Sequence, residues 1–333
     1  MTGARDPGTT TLGASGLAAT PIGLGLAALG RPAYINLGRR EDLGRERSVE
    51  AMERRCHEVL DAAYGAGVRY VDAARSYGLA EMFLASWLER RGLEPRAITV
   101  GSKWGYTYTG GWRLGAEVHE VKDHSLATLR RQLAETRELL GNRLDLYEIH
   151  SATLESGVLE DVDVLAELVR LRREGLTVGL TTSGPRQAET VHRALEAEVD
   201  GVNPFGVVQA TWNLLEPSVG PALEAAHQRG WGVIVKEALA NGRLAPRGDG
   251  PARVALDAVA GRHGVTADAV ALAAALANPW VDVALSGAVT VQQLQTNLMA
   301  CSLELTAADL AELRPLAEPA DRYWAERGAL PWS

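Results

Sequence analysis

Four polar side chains stand at or just past the ends of apolar, strand-like runs in the sequence, namely Asp72, Tyr77, Lys103 and His150. Adding a hydride to a carbonyl carbon leaves negative charge on the oxygen, and a positioned acid must supply a proton to it. A tyrosine can donate that proton, a nearby ammonium group can stabilise the resulting phenolate, and a carboxylate can keep the ammonium charged. A histidine can hydrogen-bond the carbonyl oxygen and orient it. Gathered at one place, the four residues indicate an enzyme that reduces aldehydes or ketones.

Each of the four also has an ordinary structural explanation when it is taken alone. Asp72 can cap the helix that follows it, Tyr77 can be a surface or core aromatic, and His150 can be a structural histidine. Lys103 is harder to explain in this way, because lysine is costly to bury without a partner. The order in which the four follow successive strands favours the chemical interpretation.

The elements that must position these residues alternate between strand patterns and helix patterns. The stretch at 158–169 has helical spacing and is followed by Gly175 as a stop. Repeated strand–helix units predict parallel pairing, and eight of them predict an α/β fold closed into a (β/α)8 TIM barrel. The competing fold, an open doubly wound sheet, lacks the Gly-x-Gly-x-x-Gly turn that would support it. The eight apolar runs lie near residues 21–27, 68–73, 97–102, 144–149, 176–181, 205–210, 231–236 and 281–286.

The rest of the chain is predicted to form one domain around that barrel. We expect residues 1–9 to be a disordered lead-in and residues 10–333 to be a single barrel domain. The glycine-rich stretch at 10–18 predicts an N-terminal β-hairpin, which can plug the bottom of the barrel. Three long loops follow strands and therefore belong to the C-terminal rim, where barrel enzymes keep their sites. These loops lie near residues 28–47, 104–122 and 237–250.

Composition excludes several classes of function. The formal net charge of −8 argues against nucleic-acid binding, which needs a basic face. The sequence contains no apolar run of about 18 residues, so a membrane span is not expected. The two cysteines, Cys56 and Cys301, cannot form a disulfide framework or a zinc site, and this favours a reducing cytoplasm. His119 and His124 lack a third ligand at metal-site spacing, so no metal is expected. The oligomeric state leaves no readable mark in the sequence.

The sequence resembles the aldo-keto reductase family over nearly its whole length. The resemblance is carried by four motifs: Asp72-Ala-Ala-Arg-Ser-Tyr77-Gly, Ser102-Lys103-Trp-Gly, Leu144-Asp-Leu-Tyr-Glu-Ile-His150, and Val208-Gln209-Ala-Thr-Trp212-Asn213. It implies a (β/α)8 fold, a small-molecule carbonyl substrate and the Asp–Tyr–Lys–His tetrad. It also implies a nicotinamide cofactor, usually NADPH, that is bound without a Rossmann motif.

The cofactor-binding positions match the family less regularly than the tetrad does. Thr181 and Thr182 stand where the family has Ser-Asn against the carboxamide, and Lys236 stands where an aromatic residue usually stacks on the nicotinamide. Lys or Arg is common at Gly287, Val289 and Gln293, and their absence here leaves NADH possible beside NADPH. The predicted cofactor-binding set is Gly23, Gly25, Thr181, Thr182, Gln209, Lys236, Leu239, Gly242, Arg243, Ser286, Gly287, Thr290, Gln293 and Asn297. A surface salt bridge is the alternative for Arg243.

Aromatic residues near the rim predict the walls of a substrate pocket. Trp104, Tyr106 and Trp112 lie in one loop after Lys103, where large rings would otherwise be exposed. Tyr34 can close the same pocket from the first long loop, and Trp212 is expected on the sixth strand. The alternative is that the rings pack beneath an adjoining loop.

Two other functions keep the same barrel. One is a redox isomerase or epimerase that holds its cofactor tightly and consumes none. The other is a regulatory subunit that senses nicotinamide and turns over little. The altered residue at Lys236 favours the regulatory reading slightly, whereas the intact tetrad argues against it. A carbonyl reductase acting on a sugar or a secondary metabolite is the reading that we expect.

Overall fold

The computed structural model describes residues 8–37, 39–248 and 250–332. The predicted disordered lead-in therefore lies largely outside the described residues, which begin at Gly8. Twelve strands form in these ranges: β1 Thr10–Thr11, β2 Ala18–Ala19, β3 Ile22–Gly25, β4 Tyr70–Asp72, β5 Thr99–Trp104, β6 Tyr106–Tyr108, β7 Glu120–Lys122, β8 Leu146–Ala152, β9 Thr177–Thr182, β10 Val207–Thr211, β11 Gly232–Lys236 and β12 Val283–Ser286.

Eight of the strands close into a parallel barrel, as the sequence predicts. Their order around the barrel is β3-β4-β5-β8-β9-β10-β11-β12, and β12 pairs with β3 to complete the circle. Each of these strands overlaps one of the eight apolar runs. Only the bounds differ: β5 runs on to Trp104 and β8 to Ala152, beyond the last apolar residue of each run.

In the described ranges, twelve α-helices surround the barrel and cover its rim. The helix predicted at 158–169 forms four residues later in the chain, as α5 (Val162–Arg173), and the helix before it ends at Gly141, whose φ of 58° favours glycine. Their ranges are α1 Arg39–Leu43, α2 Val49–Gly65, α3 Ala80–Arg91, α4 Leu126–Leu140, α5 Val162–Arg173, α6 Gln187–Glu196, α7 Gly220–Gln228, α8 Gly250–His263, α9 Ala267–Leu276, α10 Val291–Leu298, α11 Ala307–Leu313 and α12 Ala320–Gly328. Within the described ranges no helix has the length and apolar character needed to cross a membrane.

The N-terminal hairpin closes the bottom of the barrel, as expected. β1 and β2 pair in antiparallel register, and Leu12 between them is fully buried. Leu12 packs in an apolar cluster with Leu146, Ile234 and Val283 from three barrel strands. This buried apolar cluster forms the floor of the barrel.

The other end of the barrel carries the long loops. The loop after β5 contains the hairpin β6–β7, and the loop after β3 contains α1. α12 and the chain beyond it return to this end, because Trp332 stacks face to face on His119 next to β7 at 4.2 Å. The rim is therefore built from three loops and the C-terminal segment together.

Candidate active site

The alternation of side chains along each strand places a polar layer above the apolar floor. Tyr70 and Leu146 belong to the floor, and two residues further along their strands come Asp72 and Glu148. Another step of two brings His150 to the top of β8. Because the eight strands are parallel, all these side chains meet at the C-terminal end of the barrel. The four residues of the predicted tetrad therefore converge.

Lys103 and Asp72 form a buried ion pair. The Lys103 Nζ lies 2.5 Å from the Asp72 Oδ2 and also donates to the Ala73 carbonyl at 3.0 Å. The Lys103 side chain is fully buried and that of Asp72 is 3% exposed. A buried charge is stable when it is paired and hydrogen-bonded, and both groups meet that condition. The carboxylate thus holds the ammonium group in one position.

Tyr77 lies directly above this pair and faces His150. Its ring is 5.4 Å from the His150 ring in an edge-on arrangement, and the Lys103 Nζ is 5.1 Å from its centroid. Burial and the Asp72 carboxylate raise the pKa of Tyr77 well above its ordinary value. The sequence predicts that Lys103 lowers the pKa of Tyr77, but in the resting site burial and the Asp72 carboxylate outweigh that effect. Tyr77 therefore keeps its proton at neutral pH.

His150 is held as a neutral imidazole. Burial, followed by the charges of Lys103 and Arg31, lowers the pKa of His150 well below its ordinary value. Its Nδ1 lies 3.3 Å from the Ser76 hydroxyl. When Ser76 donates to Nδ1, the imidazole carries its proton on Nε2 and can donate it to a ligand oxygen. His150 can then act as a hydrogen-bond donor without carrying charge.

Glu148 is a buried carboxyl group that sequence reasoning missed. It pairs in register with Lys103 and is fully buried, and its Oε1 has no hydrogen-bond partner among the described residues. The Gln209 amide bridges it to the tetrad, donating to Asp72 at 3.0 Å and to Glu148 at 3.3 Å. Burial raises the pKa of Glu148 to about 8. An acidic residue inside the apolar run before His150 was the signal available in the sequence.

A cavity of about 900 Å³ opens above the tetrad and extends across the rim. It is lined by Asp72, Tyr77 and His150, while Lys103 lies behind them. It also takes in ten of the predicted cofactor residues and two of the predicted pocket residues. These are Gly25, Gln209, Lys236, Leu239, Gly242, Ser286, Gly287, Thr290, Gln293 and Asn297, with Tyr34 and Tyr106.

Four predicted cofactor residues lie away from this cavity. Gly23 faces the floor, where an added Cβ would meet Tyr70. The Thr181 hydroxyl accepts a hydrogen bond from the Ser151 backbone, and Thr182 is fully buried; Ser183 lines the cavity in their place. Arg243 forms ion pairs with Glu318 and Glu326, which is the salt-bridge alternative.

Three predicted pocket aromatics also lie outside the cavity, because they pack under neighbouring elements. Trp104 is fully buried with its ring edge-on to His124. Trp112 donates its indole N–H to the Arg47 carbonyl at 2.7 Å. Trp212 packs against Trp280. Packing beneath an adjoining loop, the alternative for Trp104 and Trp112, describes their positions. Trp212 is predicted to face the site from the sixth strand, but it lies one residue past that strand, β10, and outside the cavity.

The mouth of the cavity next to Tyr77 is lined by two ion pairs that the sequence did not reveal. Arg31 pairs with Glu120 at 2.9 Å, and Arg327 binds Glu237 through two nitrogens, the shorter contact being 2.5 Å. Trp332 stands over Arg31, whose guanidinium carbon is 4.8 Å from the ring centroid. The two residues of each ion pair are far apart in the chain, so no local sequence pattern predicts the pairing.

Lys236 lies between the tetrad and these ion pairs. Its ammonium group donates to the Thr211 hydroxyl at 2.7 Å, and that hydroxyl donates to Glu237 at 3.3 Å. Burial lowers the pKa of Lys236 to about 8, and the Arg327 bridge helps to lower the pKa of Glu237 to about 2. Lys236 therefore belongs to a hydrogen-bonded chain on the cavity wall.

The far end of the cavity has the character of a nucleotide site. Asn241, Thr266 and Asp268 each line it with one buried oxygen that has no hydrogen-bond partner among the described residues. Gly287 leaves open space where a Cβ would stand, so the backbone before α10 is accessible to a ligand. Thr290 caps α10, and such helix starts favour anions. These residues fit the adenosine and phosphate parts of a dinucleotide.

Comparison with known proteins agrees with this geometry. The aldo/keto reductase family model matches residues 21–318. The chain is 25% identical to the aldo-keto reductase ausK of Emericella nidulans over 332 residues, covering 91% of this chain and 80% of the relative. It is 26% identical to a D-threo-aldose 1-dehydrogenase of a Pseudomonas species over 295 residues, covering 78% and 88% respectively. The solved structure of the aldo-keto reductase AKR11C1 from Bacillus halodurans superposes with a TM-score of 0.69 at 21% identity, covering 94% of this chain and 97% of that one. Since the family model spans most of the sequence, the chain belongs to the aldo/keto reductase family.

Proposed function

We propose that this protein is an NAD(P)H-dependent reductase of aldehydes or ketones. The observation that carries the proposal is the buried Lys103–Asp72 pair directly behind a phenol and a neutral imidazole on one cavity wall. This arrangement presents two uncharged hydrogen-bond donors to a carbonyl oxygen. The extended cavity, with unpaired polar atoms at its far end, supports a dinucleotide as the second reactant.

Each side chain of the tetrad has a different role in stabilising the negative charge that develops on the carbonyl oxygen. A bound reduced nicotinamide supplies the hydride. His150 donates a hydrogen bond to the carbonyl oxygen and orients it, and Tyr77 transfers its phenolic proton as negative charge develops there. Lys103 stabilises the phenolate that Tyr77 becomes, while Asp72 keeps Lys103 in place. Tyr77 then regains a proton from solvent through the open mouth of the cavity.

The protonation states favour reduction over oxidation. Tyr77 is a protonated phenol and His150 a neutral imidazole near pH 7, since their pKa values move away from neutrality in opposite directions. Alcohol oxidation needs Tyr77 as a phenolate, which is not its resting form near pH 7. We propose carbonyl reduction as the working direction.

The lining of the mouth supports a polar substrate. Two arginine–glutamate pairs and the phenols of Tyr34 and Tyr106 face the space next to the tetrad. Such groups hydrogen-bond hydroxyls well and gain little from a purely apolar ligand. A carbonyl compound that carries several hydroxyls, such as a sugar, is the substrate class we propose. One relative is named for action on an aldose, which is consistent with this class.

A cofactor-consumption assay tests the proposal. Oxidation of NADPH or NADH is followed in the presence of polyhydroxylated and simple aldehydes, with wild type and with Tyr77→Phe. Tyr77→Phe lacks only the phenolic hydroxyl, which carries the proton to be transferred. We therefore expect kcat to fall by about a hundredfold or more while cofactor binding persists. Equal turnover by both proteins would overturn the role of Tyr77. Tight cofactor binding without net consumption would instead favour the redox isomerase.

A further inference from the structure

Lys236 brings an ammonium group to the part of the cavity where hydride transfer must occur. It ends β11 and lines the same cavity as Tyr77, His150 and Gln209. Its hydrogen bond goes to a neutral hydroxyl, that of Thr211. Among the described residues no carboxylate lies within ion-pair distance of the Lys236 Nζ. Its charge is therefore not cancelled locally.

The other charges around Lys236 balance one another. The groups that act on it electrostatically are Glu237, Arg327, Lys103 and Asp72, and they form two ion pairs, Arg327–Glu237 and Lys103–Asp72. Across the mouth, Arg31 is paired with Glu120. Glu148 remains, and with a pKa of about 8 it is mostly uncharged at neutral pH. The wall facing the reaction space thus carries about one positive charge, on Lys236.

We propose that Lys236 makes this site bind reduced nicotinamide more tightly than oxidised nicotinamide. The inference rests on the proposed function, because it assumes that a nicotinamide occupies the cavity. The oxidised ring carries a positive charge and the reduced ring is neutral. An ammonium group in a buried cavity repels the first and leaves the second unaffected. An aromatic residue, usual at this position in the family, would have no such effect.

The preference has a direct consequence for turnover. In carbonyl reduction the oxidised cofactor is a product, so weaker binding of that form speeds its release. A redox isomerase has the opposite need, because it must retain both forms between its half-reactions. Lys236 therefore favours the reductase over the isomerase.

Binding measurements on both cofactor forms test the proposal. Quenching of tryptophan fluorescence gives the Kd of NADH, NAD+, NADPH and NADP+ at pH 7 for wild type, Lys236→Met and Lys236→Arg. We expect the ratio of oxidised to reduced Kd to fall by about tenfold in Lys236→Met. Lys236→Arg keeps the positive charge and only shifts its position. We therefore expect it to change the ratio of oxidised to reduced Kd by less than about threefold. An unchanged ratio in Lys236→Met, or an equal fall in both variants, would overturn the proposal.

A pH series gives a second measurement, whose starting point is the wild-type protein. Above pH 8 Lys236 loses its charge, so the ratio should fall as pH rises through that value in wild type and fall less in Lys236→Met. Glu148 titrates in the same range and would act in the same direction, so the series is repeated in Glu148→Gln. A slope that persists in Glu148→Gln supports Lys236, and one that disappears there contradicts it. If wild type binds neither form, the proposed function itself fails, which is a distinct outcome.

Discussion

Gln293 stands where the family often carries a basic residue for the 2′-phosphate. One acidic and one basic side chain, Asp42 and Arg247, lie next to it. Its amide donates to the Asp42 carboxylate at 2.6 Å, and Asp42 in turn pairs with Arg247 at 2.7 Å. All three line the far end of the cavity. Asp42 suits a ribose hydroxyl and repels a phosphate, whereas Arg247 suits a phosphate. We propose that the balance between these two residues sets the cofactor preference, and that NADPH is preferred because the Arg247 guanidinium can bind a phosphate while it is paired with Asp42.

Separate substitutions of Arg247 and Asp42 test which of the two determines the cofactor preference. In Arg247→Met we expect the Kd of NADPH to rise by about tenfold, because a charge-assisted hydrogen bond to the phosphate is lost. The Kd of NADH should change little. Asp42→Asn keeps the shape of the side chain and removes the repulsion, so it should tighten NADPH binding. If Arg247→Met leaves NADPH binding unchanged and wild type prefers NADH, Asp42 governs the choice and the cofactor is NADH.

At the scale of elements, a buried ion pair helps to hold α12 against the barrel. Arg327 near its C-terminal end binds Glu237, which follows β11 in a left-handed conformation with φ of 54°. The Glu237 side chain is only 9% exposed, so losing its partner leaves a buried charge uncompensated. Breaking such a pair typically costs about 3–5 kcal/mol, more than removing both partners together.

Three variants separate these effects in urea unfolding. Arg327→Met alone should lower the free energy of unfolding by about 3 kcal/mol, and adding Glu237→Gln should restore part of the loss. Arg322→Met on the same helix is the matched control, because Arg322 is mostly exposed and its bond to Glu326 lies on the surface. We expect about 0.5 kcal/mol or less there. A double variant no more stable than Arg327→Met would show that Glu237 has no need of its partner.

The elements that sequence patterns predicted are those governed by local rules. The eight strands, α5 and the hairpin at the floor follow from alternation, helical spacing and glycine turns, so each could be placed without knowing its neighbours. The tetrad followed as well, since strand ends of a parallel barrel share one rim. Arg243 could not be assigned, because its partner Glu318 is contributed by a segment 75 residues away. The same reason hid Trp332, which reaches the mouth only when the C-terminal segment folds back.

For the molecule as a whole, the buried polar layer couples stability to pH. Glu148 keeps a proton in the folded barrel up to about pH 8, whereas an unfolded glutamate loses it near the ordinary pKa of 4.5. Between these values the folded state binds more protons than the unfolded state, so stability falls as pH rises. His150 works the other way, but only below about pH 6.5, where the unfolded histidine becomes charged. Lys236 adds stability with rising pH only above about pH 8. The interval from pH 6.5 to 8 therefore isolates Glu148 among these three.

Glu148→Gln should remove the fall in stability with rising pH. The variant keeps the shape of the side chain and an oxygen that can accept the hydrogen bond from the Gln209 amide. We expect the stability of wild type relative to the variant to fall by up to about 1.4 kcal/mol per pH unit across that interval, the limit for one proton. Urea unfolding at four pH values, read by tryptophan fluorescence, gives both curves. Asp145→Asn is the control, since Asp145 directly precedes the strand that carries Glu148 and its carboxylate accepts a hydrogen bond from the Val100 backbone N–H. Burial raises the pKa of Asp145 too, but an aspartate is the stronger acid, so we expect a smaller dependence on pH in this interval. Parallel curves for wild type and Glu148→Gln would mean that Glu148 is already ionised in the folded protein, and its negative charge would then offset the positive charge of Lys236.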